Sequence, residues 1–255
     1  MKRRSFLAAS PLVAAAPLLS LGGTKKQQYL ELTIYHTHVG ARENRVAEFY
    51  RDVALPAYER RGIAPIGLFT PMYGPNQPSL YVLIPHDSLE SLMETSQALL
   101  QDETYQQHGR EFLEASLGDP AYVRKERQLM VAFEDMPGLE IPVSNEGRIF
   151  ELRIYESHSD IAGRKKIDMF NEGGEIAIFR KTGLSPVFFG ETLFGPSMPN
   201  LTYMLGFTSM AERDAAWQRF IDDPEWHALR DQLIYKDTVS NITDFILRPT
   251  SFSQI

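Results

Sequence analysis

The strongest constraint on this chain is an internal duplication. Residues 29–38 read YLELTIYHTH and residues 149–158 read IFELRIYESH, which aligns identical residues at an offset of 120. Farther along, the pattern Gly-Pro-x-x-Pro-x-Leu occupies residues 74–80 and recurs at residues 195–201, an offset of 121. Because these matches keep one order along the chain, we interpret the sequence as two tandem copies of one structural unit.

Each copy has the element order β-α-β-β-α-β. In the first copy, a strand that alternates apolar and polar residues is followed by a helix over about residues 42–61, which Pro56 is expected to kink. Two strands over about 63–73 and 79–85 are joined by the Gly-Pro turn, and a later helical stretch covers about 103–116. The last strands are predicted over about 127–133 and 241–248. This order is typical of the ferredoxin-like α+β arrangement.

A ferredoxin-like sheet is covered by helices on one face and leaves the other face bare. Two fused copies can cover both bare faces by packing sheet to sheet, as in the dimeric α/β barrel superfamily, so we expect an intramolecular dimeric α/β barrel. We place the first repeat at residues 27–134 and the second at residues 148–252. Residues 135–147, which are rich in proline and glycine, are predicted to form a linker between them.

The chain resembles the NIPSNAP family in the first strand of each repeat. The recurring motif of that family, E-L-R-x-Y, is complete at residues 151–155, and the first copy has Thr33 in place of the arginine. The resemblance extends over roughly residues 29–252 and includes the long helix and the Gly-Pro hairpin. It implies a ferredoxin-like barrel but little chemistry, because bacterial members have no settled activity. Wider relatives of the fold include cofactor-independent monooxygenases and haem-binding proteins.

Residues 1–23 predict an export signal. The motif Arg-Arg-Ser-Phe-Leu at positions 3–7 resembles the bacterial twin-arginine signal, in which Arg3 and Arg4 are read by the twin-arginine translocase. The uncharged stretch over residues 7–21 is shorter than the roughly 20 apolar residues that span a bilayer. We therefore expect cleavage of this segment and a periplasmic or extracellular mature protein that has no membrane span.

Composition excludes several function classes. The formal charge is −7, and removal of residues 1–23 would change it to −10, which argues against a nucleic-acid partner. The chain has no cysteine, so disulfides, thiolate metal sites and cysteine nucleophiles are excluded. No motif requires a cofactor. A small-molecule ligand and a homo-oligomer are both compatible with the sequence.

The polar face of the first strand in each repeat supplies the candidate ligand-binding residues. The opposite face carries apolar residues such as Leu32 and Leu152 and is expected to lie under the helices, so the polar face should line the barrel interior. Charged groups there need partners, and the polar face forms either an ion-pair network or a ligand pocket. If Arg153 pairs with Glu151 or Glu31, Arg153→Ala should leave a carboxylate unpaired. The candidates are Glu31, Tyr35, Glu151, Arg153 and Tyr155.

The ends of the same strands carry possible metal ligands. Imidazole and carboxylate groups suit zinc, copper and iron, and these residues occupy repeat-related positions, so a metal or haem site is one hypothesis. The alternative is that they are solvated loop residues. The candidate ligands are His36, His38, Glu156 and His158. The remaining histidines, which are predicted to lie at the surface, are His86, His108 and His227.

Three functions remain open from the sequence. The first is an exported protein of uncharacterised activity that binds a small molecule in the barrel cavity. The second is an enzyme on the same barrel, either a cofactor-independent monooxygenase or a haem- or metal-handling protein. The third is a scaffold that associates with other proteins. A hollow barrel would favour the first two functions, whereas a barrel filled by side chains with an exposed apolar patch would favour the third.

The export prediction can be tested directly. Replacing Arg3 and Arg4 together by lysine keeps the positive charge of the segment but removes the arginine pair that the translocase reads. We expect the precursor to accumulate inside the cell, as measured by fractionation and immunoblotting. Unchanged export of the double variant would contradict a twin-arginine signal.

Overall fold

The computed structural model describes residues 26–40, 44–73 and 77–255. The predicted export signal and Gly74-Pro75 of the first hairpin lie outside these residues. The first repeat contains the strands β1 (Tyr29–His36), β2 (Gly67–Pro71), β3 (Ser79–His86) and β4 (Arg124–Ala132). The second repeat contains the strands β5 (Ile149–Glu156), β6 (Ser185–Phe194), β7 (Asn200–Phe207) and β8 (Asn241–Pro249).

Helices separate these strands in the predicted order. The helices of the first repeat are α1 (Arg45–Phe49), α2 (Leu55–Glu59), α3 (Leu89–Gln101) and α4 (Glu103–Leu113). Those of the second repeat are α5 (Asp160–Phe170), α6 (Glu175–Thr182), α7 (Met210–Ile221) and α8 (Pro224–Arg230), followed by a short 3-10 helix, Leu233–Tyr235. None of the helices within the described ranges is both long enough and apolar enough to span a bilayer.

The strands close into one antiparallel barrel. Its order is β1-β3-β2-β8-β5-β7-β6-β4, and β4 returns to pair with β1. Within each repeat the last strand lies beside the first, which is the ferredoxin-like order. The two sheets meet where β2 pairs with β8 and where β4 pairs with β6. The prediction of two tandem ferredoxin-like repeats that form an intramolecular barrel is confirmed.

The apolar core consists of three clusters. The first fills the barrel and combines residues of both repeats, among them Leu30, Leu32, Phe150 and Leu152. The second lies between the sheet and the helices of the first repeat, and the third occupies the same layer in the second repeat. Side chains that are 5% exposed or less therefore fill the barrel interior from both halves.

The structure reverses the predicted orientation of the first strands. Tyr35 belongs to the core between the first sheet and its helices, and Tyr155 to the corresponding core of the second repeat, so the face that carries Glu31 and Glu151 turns toward the helices. The expectation that this face lines the barrel is wrong. The helix layer supplies partners for these charged groups, since an unpaired buried charge is costly, and a long charged side chain there can reach the surface at its edge.

The first helical segment changes from α-helical to π-helical hydrogen bonding just before Pro56. Helices α1 and α2 are joined by a π-helical turn, Tyr50–Ala54, in which Leu55 donates to the carbonyl of Tyr50 instead of that of Arg51. Proline has no amide hydrogen, so the regular bonding pattern cannot continue through residue 56. The predicted disturbance of the helix is thus present as a wider turn just before the proline, which is a common location for functional side chains.

Residues 135–147, predicted as a linker, connect β4 with β5 without adding a helix or a strand of their own. The backbone of Glu140 donates to the carbonyl of Val187, and Leu139 and Val143 pack against the barrel cluster. Met136 is buried. This segment therefore packs against one end of the barrel and contributes to its core.

The filled barrel predicts a large cost for shortening an interior side chain. Leu152→Ala should destabilise the protein by about 2–5 kcal/mol, because the mutation removes apolar contacts and leaves a cavity between two sheets. Ile242→Ala, on a strand of the same barrel but 45% exposed, is the matched control and should cost under about 1 kcal/mol. Urea denaturation measures both changes, and equal costs would contradict a tightly packed interior.

Candidate functional site

The Glu151 carboxylate is the centre of a buried charge network in the second repeat. Glu151 is 0% exposed and accepts hydrogen bonds from two residues of α7. Arg213 donates from Nε to Oε2 over 2.9 Å and from Nη2 to Oε1 over 2.8 Å. Trp217 donates from Nε1 to Oε2 over 2.7 Å. Arg153 Nη1 donates to Oε1 over 2.8 Å. The two arginines share one carboxylate, and α7 places Arg213 and Trp217 one helical turn apart so that both reach it.

Aromatic rings enclose the rest of this network. The Arg153 guanidinium lies 4.7 Å from the Trp217 ring centre and 5.5 Å from that of Tyr155, whose hydroxyl accepts from Tyr203 over 2.9 Å. Elsewhere in the layer, Lys166 pairs with Glu175 over 2.7 Å. Burial raises the pKa of Glu175, and Lys166 opposes that effect. The helix layer of the second repeat is filled by these side chains, which indicates a structural role.

The equivalent carboxylate of the first repeat, Glu31, has different partners. Arg127 Nε lies 3.0 Å from Glu31 Oε1, and Thr33 donates to the same oxygen over 3.2 Å. Since Arg127 stands directly opposite Thr33 across β1 and β4, a neighbouring strand supplies the arginine that the first copy of the motif lacks. Burial alone would raise the pKa of Glu31, but His86 and Arg127 outweigh it and hold the pKa below its usual value.

The prediction that His86 lies at the surface is wrong. His86 is 3% exposed, and its Nε2 atom lies 3.6 Å from Glu31 Oε2, a distance longer than an ordinary hydrogen bond. The equivalent position in the second repeat is Phe207. The other two histidines that were predicted to lie at the surface, His108 and His227, are exposed.

Tyr35 joins an aromatic cluster beneath the helices of the first repeat. Its hydroxyl lies 3.2 Å from that of Tyr50, which projects from the π-helical turn. Burial raises the pKa of Tyr35 to about 12 and that of Tyr50 further, so both hydroxyls stay protonated near neutral pH. The ring of Tyr35 also makes edge contacts with Phe112 and Tyr122.

An open cleft lies over this cluster, between α1 with the π-helical turn and α4. Its floor is the pair Phe49 and Phe112, whose rings stack at a centroid distance of 4.0 Å and an interplanar angle of 9°. The cleft has a volume of about 210 Å³. Its remaining lining residues are Arg45, Glu48, Asp52, Val53, His108, Glu111 and Ala121.

A glycine allows the two helices to approach closely enough for this stack. A Cβ atom added at Gly109 would lie 2.9 Å from Cε2 of Phe49, closer than carbon atoms pack. By the offset of 121, Gly109 corresponds to Arg230 and Phe112 to Leu233, which lies outside α8 in the 3-10 helix. The second repeat therefore lacks the last turn of α4 and the residues that form this cleft.

Most of the cations near the cleft are already paired. Arg45 Nη2 donates to Asp119 over 2.9 Å, and that carboxylate raises the pKa of Arg45. Arg51 forms a two-point hydrogen bond with Asp52, at 2.7 Å for each contact, and lowers the pKa of that carboxyl. Within the described ranges, no ion pair is formed by the side chain of Glu48 or Glu111.

The proposed metal ligands do not come together. His36 Nε2 contacts Glu126 over 2.9 Å in the first repeat, whereas Glu156 accepts from Asn241 in the second. Among the described residues, which include all four candidates, no group of three or more histidine, aspartate and glutamate side chains has metal-binding geometry. The hypothesis of one metal site built from His36, His38, Glu156 and His158 is therefore corrected.

The five candidate ligand-binding residues divide between the two helix layers. Glu31 and Tyr35 lie in the first, and Glu151, Arg153 and Tyr155 lie in the second, so Glu31 does not pair with Arg153. Sequence reasoning missed Phe49 and Phe112, which form the floor of the cleft. The available signal was Gly109, a glycine inside an otherwise regular helical pattern that marks a close approach.

The fold and these sites define a class of protein: a single-chain α/β barrel made of two ferredoxin-like units. The sequence profile of the NIPSNAP family matches residues 30–134 and again residues 150–254. The chain belongs to the NIPSNAP family. No curated protein sequence matches this chain.

Solved structures show the same fold at low sequence identity. A protein of Lactobacillus acidophilus described as a candidate monooxygenase is 11% identical, with a TM-score of 0.55 over 88% of this chain and 94% of its own. A protein of Fusobacterium nucleatum with the same description is 8% identical and has a TM-score of 0.51, and the match covers 88% of this chain and 92% of that protein. An uncharacterised NIPSNAP-like domain protein of Burkholderia xenovorans is 24% identical and has a TM-score of 0.38, and the match covers 43% of this chain and 90% of that protein.

The Glu151 network changes what is expected of Arg153. Because Arg213 and Trp217 also hold the carboxylate, Arg153→Ala does not leave it unpaired and should cost about 1.5–3 kcal/mol, as for one hydrogen bond to a charged group. Arg213→Ala removes two of its four hydrogen bonds and should cost about 3–5 kcal/mol. Arg164→Ala, at an exposed position on α5, is the control. A larger loss in urea stability for Arg153→Ala than for Arg213→Ala would refute this order.

Proposed function

We propose that this protein binds a small aromatic molecule in the cleft between α1 and α4 of the first repeat. The observation that carries the proposal is the stacked pair Phe49 and Phe112, which forms an apolar floor in an open cleft. The barrel interior is filled, and the same layer of the second repeat is closed by aromatic and charged side chains. A cleft with convergent polar groups above an apolar floor is the usual form of a ligand site.

The size of the cleft limits the ligand. Its volume of about 210 Å³ is smaller than the roughly 300–1,000 Å³ of pockets for drug-sized molecules. An apolar cavity of about 150 Å³ is known to accommodate benzene. The cleft therefore suits one aromatic ring with a short substituent, and the polar groups of the rim would contact that substituent.

A second candidate function is dioxygen-dependent oxidation of a ligand in the same cleft. Two structures of the same fold are described as candidate monooxygenases. His108 favours this candidate, because it lines the cleft and its imidazole could accept a proton from a phenolic substrate. The nearby Tyr35 and Tyr50 stay protonated and cannot serve as bases. Dioxygen consumption that depends on an added phenol and is lost in His108→Asn would support this candidate.

Export remains part of the proposal. The support is the sequence of residues 1–23, with Arg3 and Arg4 ahead of an uncharged stretch. The twin-arginine route carries folded proteins, and a closed barrel whose two halves depend on each other suits transport after folding. On this basis the ligand would be met in the periplasm or outside the cell.

Ligand binding can be tested on the mature protein with three aromatic probes. Phenethylamine, phenethyl alcohol and hydrocinnamate share one ring and differ in charge, and amide NMR spectra report where each one binds. We expect at least one probe to give saturable shifts confined to α1, the π-helical turn and α4. Phe112→Leu keeps an apolar side chain but removes the stacked ring, and it should weaken binding several-fold.

The matched control is Phe220→Leu. Phe220 lies in the aromatic cluster of the second repeat, 4.8 Å from the ring centre of Phe179, and does not line the cleft. This variant should bind each probe as the parent protein does. Shifts that appear elsewhere, or binding that Phe112→Leu and Phe220→Leu weaken equally, would overturn the proposed site.

A further inference from the structure

We infer that the ligand of this cleft carries a positive charge beside its ring, which makes it a small aromatic amine. This inference rests on the proposed function and adds the chemical class of the ligand. It follows from two carboxylates of the cleft that form no ion pair within the described ranges.

The two carboxylates in question stand next to the two stacked rings. Glu48 directly precedes Phe49 on α1, and Glu111 directly precedes Phe112 on α4, so each wall of the cleft presents one carboxylate at its rim. Both side chains are exposed, and neither pairs with a cation in the part of the chain that the structure describes. An ammonium group on a short substituent would meet a carboxylate on either wall.

The nearby cations make their hydrogen bonds to other carboxylates, although Arg45 also has a weaker Coulombic interaction with Glu48 and Glu111. Arg45 lies in the same cleft but donates to both the side chain and the backbone carbonyl of Asp119. The Arg51 guanidinium donates two hydrogen bonds to the carboxylate of Asp52. An incoming anion would therefore meet the rim carboxylates and, in Arg45, a guanidinium that already donates to Asp119. An incoming cation would meet a net negative charge among the described lining residues, which include Glu48, Asp52 and Glu111.

The floor of the cleft suits the aromatic part of the same ligand. The stacked rings of Phe49 and Phe112 offer apolar surface against which one more ring can pack, beside the two carboxylates. His108 lines the cleft too.

Isothermal titration with the three probes at pH 8 tests the charge of the ligand. Phenethylamine should bind about tenfold more tightly than phenethyl alcohol, since two exposed ion pairs contribute modestly. Hydrocinnamate should bind more weakly than the alcohol. The preference for the amine should decrease as the salt concentration is raised to about 1 M, where the Debye length is only about 3 Å and exposed charges are screened from one another.

Variants assign the preference to the two carboxylates. The double change Glu48→Gln and Glu111→Gln keeps the side-chain volume and should bring the amine and the alcohol to similar affinities without affecting the alcohol. Glu94→Gln removes the same charge from an exposed position on α3 that does not line the cleft, and it should leave the preference unchanged.

The outcomes separate the ligand class from the site itself. If the alcohol or hydrocinnamate binds as tightly as the amine, and Phe112→Leu still weakens binding, the inferred charge is wrong and the proposed function stands. If the amine preference survives the double glutamine variant, the carboxylates do not cause it and the inference fails. If no probe binds, or Phe112→Leu has no effect, the proposed site itself is wrong.

Discussion

The structure depends on the closure of two four-stranded sheets into one barrel. Each ferredoxin-like sheet has an apolar face that its own helices do not cover, and neither repeat could expose that face to water without a large cost. The pairs β2–β8 and β4–β6 remove this problem by joining both edges of one sheet to the other. The linker completes the enclosure, because Leu139 and Val143 pack against the interior cluster.

Closure of the barrel determines where charge can lie. Because apolar side chains fill the interior, the charged residues Glu31, Glu151 and Arg153 are directed outward, into layers that provide partners and where long side chains reach solvent. The second repeat meets this demand with Arg213 and Trp217 from α7, whereas the first uses Arg127 from the adjacent strand. The duplicated carboxylates thus have a shared position and unlike surroundings.

The two helix layers differ in how completely side chains fill them, and the proposed ligand site lies in the layer that is less filled. In the second repeat, tryptophan, phenylalanine and paired charges fill the space between helices and sheet. In the first repeat, the longer α4, the glycine at position 109 and the π-helical turn leave a cleft over stacked rings. Function in such folds depends on local sites more than on the fold itself, and a duplicated chain can specialise one copy while the other maintains stability.

Much of the fold could be predicted from the sequence alone. The ordered matches at offsets of 120 and 121 revealed the duplication. The element order of each repeat predicted a ferredoxin-like unit whose sheet needs a partner sheet. The motif in the first strands also indicated that Arg153 pairs with Glu151 or Glu31, and the structure contains the pair with Glu151. These features are local, since they depend on periodicity and turn residues over short stretches.

Only the tertiary structure decided which face of each strand lies inside the barrel and where a ligand could enter. Alternation with a period of two separates two faces but does not say which is more enclosed, because that depends on the partner sheet and on the helices together. The contacts of Phe49 with Phe112, and of Glu151 with Arg213, join residues more than 60 positions apart. Such contacts arise when helices pack on a closed barrel. A local pattern such as Gly109 in a helix marks a close approach, but it does not say which residue approaches.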